Sequence, residues 1–206
     1  VCGNAGTCTQ TITVFDNTPP TIACPANLTV QCANLVPSVN VNNIVTSDNC
    51  TGSVIVTHVG DVISNQTCPN RFTLTRTYRA TDVCGNSATC AQVITVFDNT
   101  APVVTFTDPL LQGVPNGGTI YVQCEGQDPE WELPSFSAAS VSATDNCNGN
   151  VTIAFLETLH DEGNCSVDGY INIYRQRWIA TDACGNSTTV IVYVALVDEV
   201  PPVIHG

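Results

Sequence analysis

The chain has 206 residues, and its 18 acidic against five basic side chains give a formal net charge of −13. Such an acidic surface repels a phosphate backbone, which excludes nucleic acid as a partner. No apolar run reaches the roughly 20 residues that a membrane-spanning helix needs, so we expect no membrane insertion in this segment.

The 12 cysteines indicate the compartment in which the chain resides. So many thiols in a chain of this size are typical of a disulfide framework, which forms in an oxidising environment. Zinc is the competing explanation, but the sequence lacks the CxxC pairs of zinc ribbons. We therefore expect an extracellular or cell-surface location.

One segment occurs three times along the chain. Its copies begin at Val1, Val83 and Ala183 and read VCGNAGTCTQTITVFDNTPP, VCGNSATCAQVITVFDNTAP and ACGNSTTVIVYVALVDEVPP. Upstream of the last two copies, LTVQC matches IYVQC, TSDNC matches ATDNC and YRATD matches WIATD. Self-similarity of this kind indicates a tandem array.

The matches divide the chain into repeats. We expect residues 1–20 to be the final strand and linker of a preceding repeat, and residues 21–99 to be a whole repeat. Residues 100–199 form a second repeat with an insertion near 125–134, and residues 200–206 begin a following one. The sequence thus predicts a segment of a longer array.

Within each repeat apolar and polar residues alternate, as in RFTLTRTY at 71–78, and turn residues recur about every ten positions. This pattern predicts an all-β fold of tandem Ig-like β-sandwich repeats stapled by disulfides. Tyr78 and Trp178 occupy equivalent positions of the penultimate strand. We expect both to be core residues rather than ligand contacts.

Several motifs carry a family resemblance: TIACP near the start of a repeat, TDNC in its middle, TDVCGNSATC before the last strand and VFDNTPP at the end. They resemble the HYR (hyalin repeat) domain. The cysteine-rich form is similar to the repeats of Bacteroidetes gliding-motility adhesins of the SprB type. The resemblance covers nearly the whole chain and implies a structural or adhesive function.

The cysteines that differ between the repeats predict one disulfide. The second repeat has Phe106 and Val190 where the first has Cys24 and Cys90. Two cysteines that are absent together are expected to be bonded together, which predicts Cys24–Cys90.

The remaining pairs are predicted from the sandwich topology, which places loops at the same end of a repeat side by side. Cys2 and Cys8 then have no partner in this chain. The predicted pairs are Cys50–Cys84, Cys147–Cys184, Cys32–Cys68 and Cys124–Cys165.

Acidic residues recur at the ends of the repeats, where the topology brings a linker and two turns together. Oxygen ligands that converge in this way are what calcium requires. The alternative is that these Asp residues only cap turns through Asx hydrogen bonds, with Gly85 and Gly185 supplying a left-handed backbone. The candidate ligands are Asp16, Asp48 and Asp82 at the first junction and Asp98, Asp145 and Asp182 at the second.

The sequence contains no motif of an enzyme, so we expect a non-catalytic protein. The leading hypothesis is a stalk segment of a secreted cell-surface adhesin or filament, with proline-containing linkers at 16–20 and 98–102 that keep the array semi-rigid. Its partners are then neighbouring repeats, surface glycans, other cells or like filaments, and Trp131 on the insertion is a candidate contact. The alternative is a calcium-dependent recognition module of a eukaryotic matrix or receptor protein.

Overall fold

The computed structural model describes residues 2–123, 134–163 and 169–198. The described residues form strands and four short 3₁₀ helices, Ala33–Leu35, Val41–Asn43, Pro109–Leu111 and Ala138–Ser140, with no α-helix. The all-β fold class is therefore confirmed. The strands are β1 (Thr21–Ala23), β2 (Leu28–Val30), β3 (Val45–Ser47), β4 (Ile55–Cys68), β5 (Arg71–Thr81), β6 (Ser87–Phe97), β7 (Val103–Phe106), β8 (Gly118–Gln123), β9 (Val141–Thr144), β10 (Thr152–Glu162), β11 (Asn172–Thr181) and β12 (Ser187–Val197).

The strands form two kinds of sheet. Two-stranded sheets pair β1 with β3 and β7 with β9, both antiparallel. Four-stranded sheets have the orders β2-β6-β5-β4 and β10-β11-β12-β8. In the latter sheet β10, β11 and β12 are antiparallel neighbours, whereas β8 pairs with β12 in parallel. Each repeat thus contributes one small and one large sheet.

The chain divides into two compact units whose limits differ from those of the sequence repeats. Unit 1 comprises Val1–Thr29, Val36–Asn65 and Thr73–Thr95, as far as these are described. Unit 2 comprises Val30–Leu35, Gln66–Phe72 and Val96–Gly206, with the same restriction. Cys32 and Cys68, which belong to the first repeat in sequence, therefore lie in unit 2.

Unit 2 has a core centred on Trp178, whose side chain is fully buried. Phe106 from β7, Phe155 from β10 and Phe136 surround the indole, with ring centroids 5.2–6.1 Å from it. The indole N–H donates to the carbonyl of Ser137 (2.7 Å), which satisfies its one polar group. The expectation that Trp178 is a core residue is confirmed.

Unit 1 buries the equivalent aromatic residue, Tyr78, which is 2% exposed. Leu74 and Ile94 are buried with it on alternate positions of β5 and β6, as the period of two predicts. Arg76, which lies between Leu74 and Tyr78 on the same face of β5, is 5% exposed. The core of this unit thus accepts a buried charge, which needs a partner.

Residues 2–20 contain no strand, although the sequence predicts the final strand and linker of a preceding repeat at 1–20. The apolar side chains of Ile12, Val14 and Phe15 in this segment are 76%, 84% and 85% exposed. A strand forms only when a neighbour completes its hydrogen bonds and covers its apolar face.

Part of the prediction falls outside the described residues. Cys124, Trp131 and Cys165 lie there, as do most of the insertion at 125–134 and the segment 200–206.

Candidate functional site

Each repeat carries the same polar cluster around the linker that precedes it. We define the first linker site as Asp16, Asp48, Cys50, Asp82 and Asn86, all in unit 1. The second linker site consists of the equivalent residues in unit 2, Asp98, Asp145, Cys147, Asp182 and Asn186.

The linker aspartates begin an Asx turn in both sites. The Thr18 N–H donates to Asp16 Oδ1 (3.1 Å), and the Thr100 N–H donates to Asp98 Oδ1 (3.1 Å). These bonds fix the start of the proline-containing linkers. The prolines that follow, Pro20 and Pro102, are fully buried, which anchors each linker.

The aspartates of the DNC turns cap their own turns. The Cys50 N–H donates to Asp48 Oδ2 (3.1 Å), and the Cys147 N–H donates to Asp145 Oδ2 (2.9 Å). One carboxylate oxygen of each aspartate is therefore engaged in the turn, and the Asx alternative describes these bonds correctly.

The TDxCGN loop is held together by its aspartate. Asp82 Oδ1 accepts the N–H groups of Cys84 (2.9 Å) and Asn86 (2.8 Å), and Oδ2 accepts the Asn86 side chain (2.9 Å). Gly85 has φ of 91°, so the loop needs glycine there. Desolvation opposes ionisation of Asp82, but the bonds from Asn86, Cys84 and Gly85 outweigh it and lower its pKa.

The second TDxCGN loop repeats this geometry with Asp182 and Asn186. The asparagine also reaches the linker, because Asn86 Nδ2 donates to the carbonyl of Asp16 (3.1 Å) and Asn186 Nδ2 to that of Asp98 (3.4 Å). These asparagines were not among the predicted site residues, although the CGN motif that contains them occurs in all three copies of the segment.

Four of the six predicted calcium ligands lie in two groups of close side chains. Ligand atoms of Asp16, Asp48 and Cys50 lie within 4.8 Å of one another, as do those of Asp98, Asp145 and Cys147. Asp82 and Asp182 lie outside both groups.

Two carboxylate oxygens of the first group lack a hydrogen-bond donor. Oδ2 of Asp16 and Oδ1 of Asp48 are buried and have no partner among the residues that the structure describes. A buried acceptor without a partner is costly, and a cation is one way to satisfy it.

Burial shifts the ionisation of both sites. Desolvation raises the pKa of Asp98, which is 1% exposed, and the charges of Asp145 and Asp182 add to this. In the first site desolvation, and then the nearby Asp16 carboxylate, raise the pKa of the Cys50 thiol. Both shifts arise because negative charge is concentrated in a poorly hydrated place.

The structure joins Cys24 to Cys90, with Cα atoms 5.7 Å apart, in agreement with the pair predicted from the matched absence. In the second repeat Phe106 and Val190 both pack against the core cluster around Trp178. The two repeats therefore use either a disulfide or apolar packing at the same positions.

The other predicted pairs within described residues are wrong. Cys32 is bonded to Cys147 and Cys68 to Cys184, at sequence separations of 115 and 116. The predictions Cys32–Cys68 and Cys147–Cys184 assumed that each repeat closes its own bonds, whereas Cys32 and Cys68 lie in unit 2 beside the second linker site.

The predicted bond between Cys50 and Cys84 is also absent, because both carry free thiols, Cys50 half-buried and Cys84 exposed. Their equivalents, Cys147 and Cys184, are bonded to Cys32 and Cys68 and not to each other. Cys2 and Cys8 are free and exposed.

Arg71 holds the second linker site together and was not predicted. Its Nη2 donates to the carbonyl of Asp98 (2.6 Å) and to Asn186 Oδ1 (3.4 Å), and its guanidinium lies 4.9 Å from the centre of the Phe97 ring. Gln31 adds two amide contacts, accepting from the Thr100 hydroxyl (2.6 Å) and lying 2.8 Å from the Asn146 amide. A guanidinium suits this position because it donates in several directions.

The buried charge of unit 1 has a structural partner. Arg76 donates from Nε and Nη2 to the carboxylate of Asp61 (2.8–3.2 Å) and from Nη1 to the carbonyl of Pro37 (2.7 Å). His58 Nε2 lies 2.8 Å from the same carboxylate. The cleft beside Arg76 measures about 130 Å³, far below the several hundred that small-molecule sites occupy.

Comparisons with known proteins give distant similarities. No family model matches the chain. The Sushi, von Willebrand factor type A, EGF and pentraxin domain-containing protein 1 of Rattus norvegicus and that of Mus musculus are each 27% identical to this chain. Each alignment is 194 residues long and covers 91% of this chain and 5% of the relative. The chain thus spans about a twentieth of the length of these relatives.

Among solved structures, a protocadherin gamma B2 fragment of extracellular cadherin domains 3–6 aligns with 88% of this chain and 52% of its own, at 15% identity and a TM-score of 0.33. Drosophila N-cadherin domains EC1–4 align with 86% of this chain and 50% of theirs, at 16% identity and a TM-score of 0.27. No helix in the described part of the chain is long and apolar enough to cross a membrane. The strands and the three disulfides among its described residues identify an all-β protein of an oxidising, extracellular environment.

Proposed function

We propose that this chain is a stalk segment of a long extracellular adhesin or filament, built from the tandem repeats 21–99 and 100–199. The observation that carries the proposal is the pair of bonds Cys32–Cys147 and Cys68–Cys184. Each joins a cysteine of the first sequence repeat to one of the second. An array with such bonds is linked by covalent bonds in addition to its backbone.

These bonds suit a protein that transmits force. A covalent bridge carries load after hydrogen bonds have broken, and it limits how far the chain between its cysteines can extend. The contacts of Arg71 and Gln31 with the second linker site add polar bonds beside the bridges. We therefore propose that the chain spans a distance under tension. Loops such as that around Trp131 would provide the attachment.

More specifically, we propose that the chain is part of a bacterial surface filament of the gliding-adhesin type, with glycans, other cells or like filaments as partners. It rests on the motif resemblance of the repeats. The alternative is a recognition module of a eukaryotic matrix protein. Six N-x-S/T sequons, the first at Asn27, distinguish the two, since glycans on them in protein from the native source would favour the eukaryotic alternative.

Pulling on the two ends of single molecules tests the stalk proposal. The shortest covalent path between the ends runs through Cys24–Cys90 and Cys68–Cys184 and contains about a third of the residues. The oxidised chain should therefore extend to roughly a third of the length that the reduced chain reaches, at about 3.5 Å per residue. Equal extension with and without reductant would contradict the proposal.

A second candidate function is calcium-dependent stiffening at the linker sites. Three features support it: the unpartnered oxygens of Asp16 and Asp48, the burial of Asp98, and the convergence of carboxylates in each site. Asp16 with Asp48 and Asp98 with Asp145 would hold the ion. Bound calcium would supply positive charge to oxygens that otherwise repel one another.

Thermal unfolding in calcium and in chelator tests this second function. Calcium should raise the Tm, and the variant Asp48→Asn with Asp145→Asn should lose most of that rise. Asp108→Asn is the matched control, because Asp108 lies in neither site and an asparagine still caps its 3₁₀ helix. If the Tm is the same in calcium and chelator, these aspartates only form turns.

A further inference from the structure

The two linker sites differ in whether their cysteines are bonded. We propose that Cys50 and Cys84 are a receptor for a neighbouring repeat: they form disulfides with the cysteines at the positions of Cys32 and Cys68 in another repeat of this kind. The inference deepens the proposed stalk function and rests on its tandem arrangement. It predicts the same pair of bonds at successive junctions.

The loops that present these cysteines have the same local structure in both repeats. Cys50 and Cys147 follow an aspartate that accepts their N–H, at 3.1 and 2.9 Å. Cys84 and Cys184 do likewise, at 2.9 and 2.8 Å. The backbone that positions Cys147 and Cys184 for their partners is thus already formed around the free thiols.

The first linker site also presents the groups that receive the polar contacts of the second. In the second site Arg71 contacts the carbonyl of Asp98 and the side chain of Asn186. The first site has the equivalent carbonyl, at Asp16, and the equivalent side chain, at Asn86, which lie 3.1 Å from each other.

The contacts of Gln31 also have counterparts. Gln31 contacts Thr100 and Asn146 in the second site, and the first site has Thr18 and Asn49 at these positions. The occupant that fits is therefore a repeat end with a Val-Gln-Cys sequence and an arginine after its second cysteine. An unrelated thiol would use the sulfurs but not these contacts.

The chemistry requires one oxidant for each bond. Two thiols lose two protons and two electrons to form one S–S bond, and a disulfide oxidant such as oxidised glutathione accepts them and becomes two thiols. Cys84 is exposed and open to such exchange, whereas Cys50 is half-buried. Cys84 should therefore react first.

The full chain with residues 21–102 duplicated in tandem tests the inference, because its second copy then follows a complete repeat. Refolding uses oxidised and reduced glutathione, remaining thiols are alkylated, and bonds are mapped without reduction. Leu35→Val in the first copy marks its Cys32 peptide. We expect Cys32 and Cys68 of the first copy to be linked to Cys50 and Cys84 of the second.

The control carries Cys32→Ser and Cys68→Ser in the first copy only, and it should leave Cys50 and Cys84 of the second copy alkylated. The bonds Cys32–Cys147 and Cys68–Cys184 in the same molecule report correct folding. A bond between Cys50 and Cys84, or the absence of any peptide that links the Leu35→Val-marked Cys32 to Cys50 in the unsubstituted duplicate, would overturn the inference. The pulling experiment uses the unduplicated chain, so the stalk function can fail while this inference holds, and the reverse.

Discussion

The heptapeptide ITVFDNT occurs twice, at 12–18 and at 94–100, in two different structural states. In the second copy Ile94 and Val96 lie on β6 and are at most 1% exposed. In the first, Ile12 and Val14 are 76% and 84% exposed and belong to no strand. The same residues therefore form a core strand or an exposed segment according to what lies beside them.

The linker sites, which include the aspartates of these heptapeptides, also differ in their contacts. The second has Cys147 bonded to Cys32 and is bridged by Arg71, whereas the first has a free thiol at Cys50. Local turn geometry is nevertheless the same in both. A repeat therefore forms its own turns, whereas its strands and bridges require residues from elsewhere in the chain.

The largest expected effect on stability comes from removing a disulfide of the second linker site. Cys32→Ala with Cys147→Ala removes a bond across 115 residues, which should lower the free energy of unfolding of unit 2 by about 4 kcal/mol. Urea unfolding followed by tryptophan fluorescence measures it. The control Cys50→Ala with Cys84→Ala should change the value by less than about 0.5 kcal/mol. Equal losses of stability in the two double variants would contradict this difference between the two linker sites.

The heptapeptides provide a matched pair of single substitutions. Ile94→Ala leaves a cavity in a fully buried position and should cost about 3 kcal/mol. Ile12→Ala changes an exposed side chain in the same local sequence and should cost less than about 0.5 kcal/mol. Urea midpoints of the two variants give the result, and similar midpoints would mean that residues 12–18 pack as 94–100 do.

Acid should weaken unit 1 through Asp61. The hydrogen bond from Arg76 lowers the pKa of Asp61, although desolvation opposes this shift. The ionised Asp61 therefore contributes to the free energy of unfolding above the ordinary pKa of about 3.9. This contribution is lost as the pH falls through the lowered pKa of the folded state. Asp61→Asn should cost about 1–2 kcal/mol at pH 7, reduced because the carboxylate is partly exposed.

The second repeat supplies the control for this prediction, since it has the uncharged Gln176 at the position of Arg76. Arg76→Gln should remove the same acid-dependent contribution as Asp61→Asn. Urea unfolding at pH 7 and at pH 3 measures it. If both variants keep the acid dependence of the parent chain, another group is responsible.

The smallest effect concerns the buried linker aspartate. Because the folded-state pKa of Asp98 is raised, the folded chain binds its proton more tightly than the unfolded one, and this group favours folding more as pH falls from 7. In chelator, Asp98→Asn should slightly increase stability at pH 7 and flatten this dependence. A loss of stability in Asp98→Asn would show that the charge is favourable.

Sequence patterns predicted the features that depend on local structure. Alternation in β5 predicted the strand and the burial of Tyr78 and Trp178, because side chains on a strand alternate between faces. The matched absence of Cys24 and Cys90 predicted their bond without any assumption about topology.

The remaining features depend on tertiary contacts that periodicity does not report. Both repeats retain the cysteines at the positions of Cys32, Cys50, Cys68 and Cys84, so no difference between repeats revealed their pairing. Residues 2–20 have the composition of a strand but form none among the described residues. Arg71 was missed because a single arginine in an alternating strand gives no signal of its contacts with the linker.

Non-reducing peptide mapping of the purified full chain, after its free thiols have been alkylated, shows whether disulfides join the two repeats. We expect peptides that link Cys32 to Cys147 and Cys68 to Cys184, together with alkylated Cys50. Peptides that link Cys32 to Cys68 or Cys147 to Cys184 would contradict it, because each repeat would then close its own bonds.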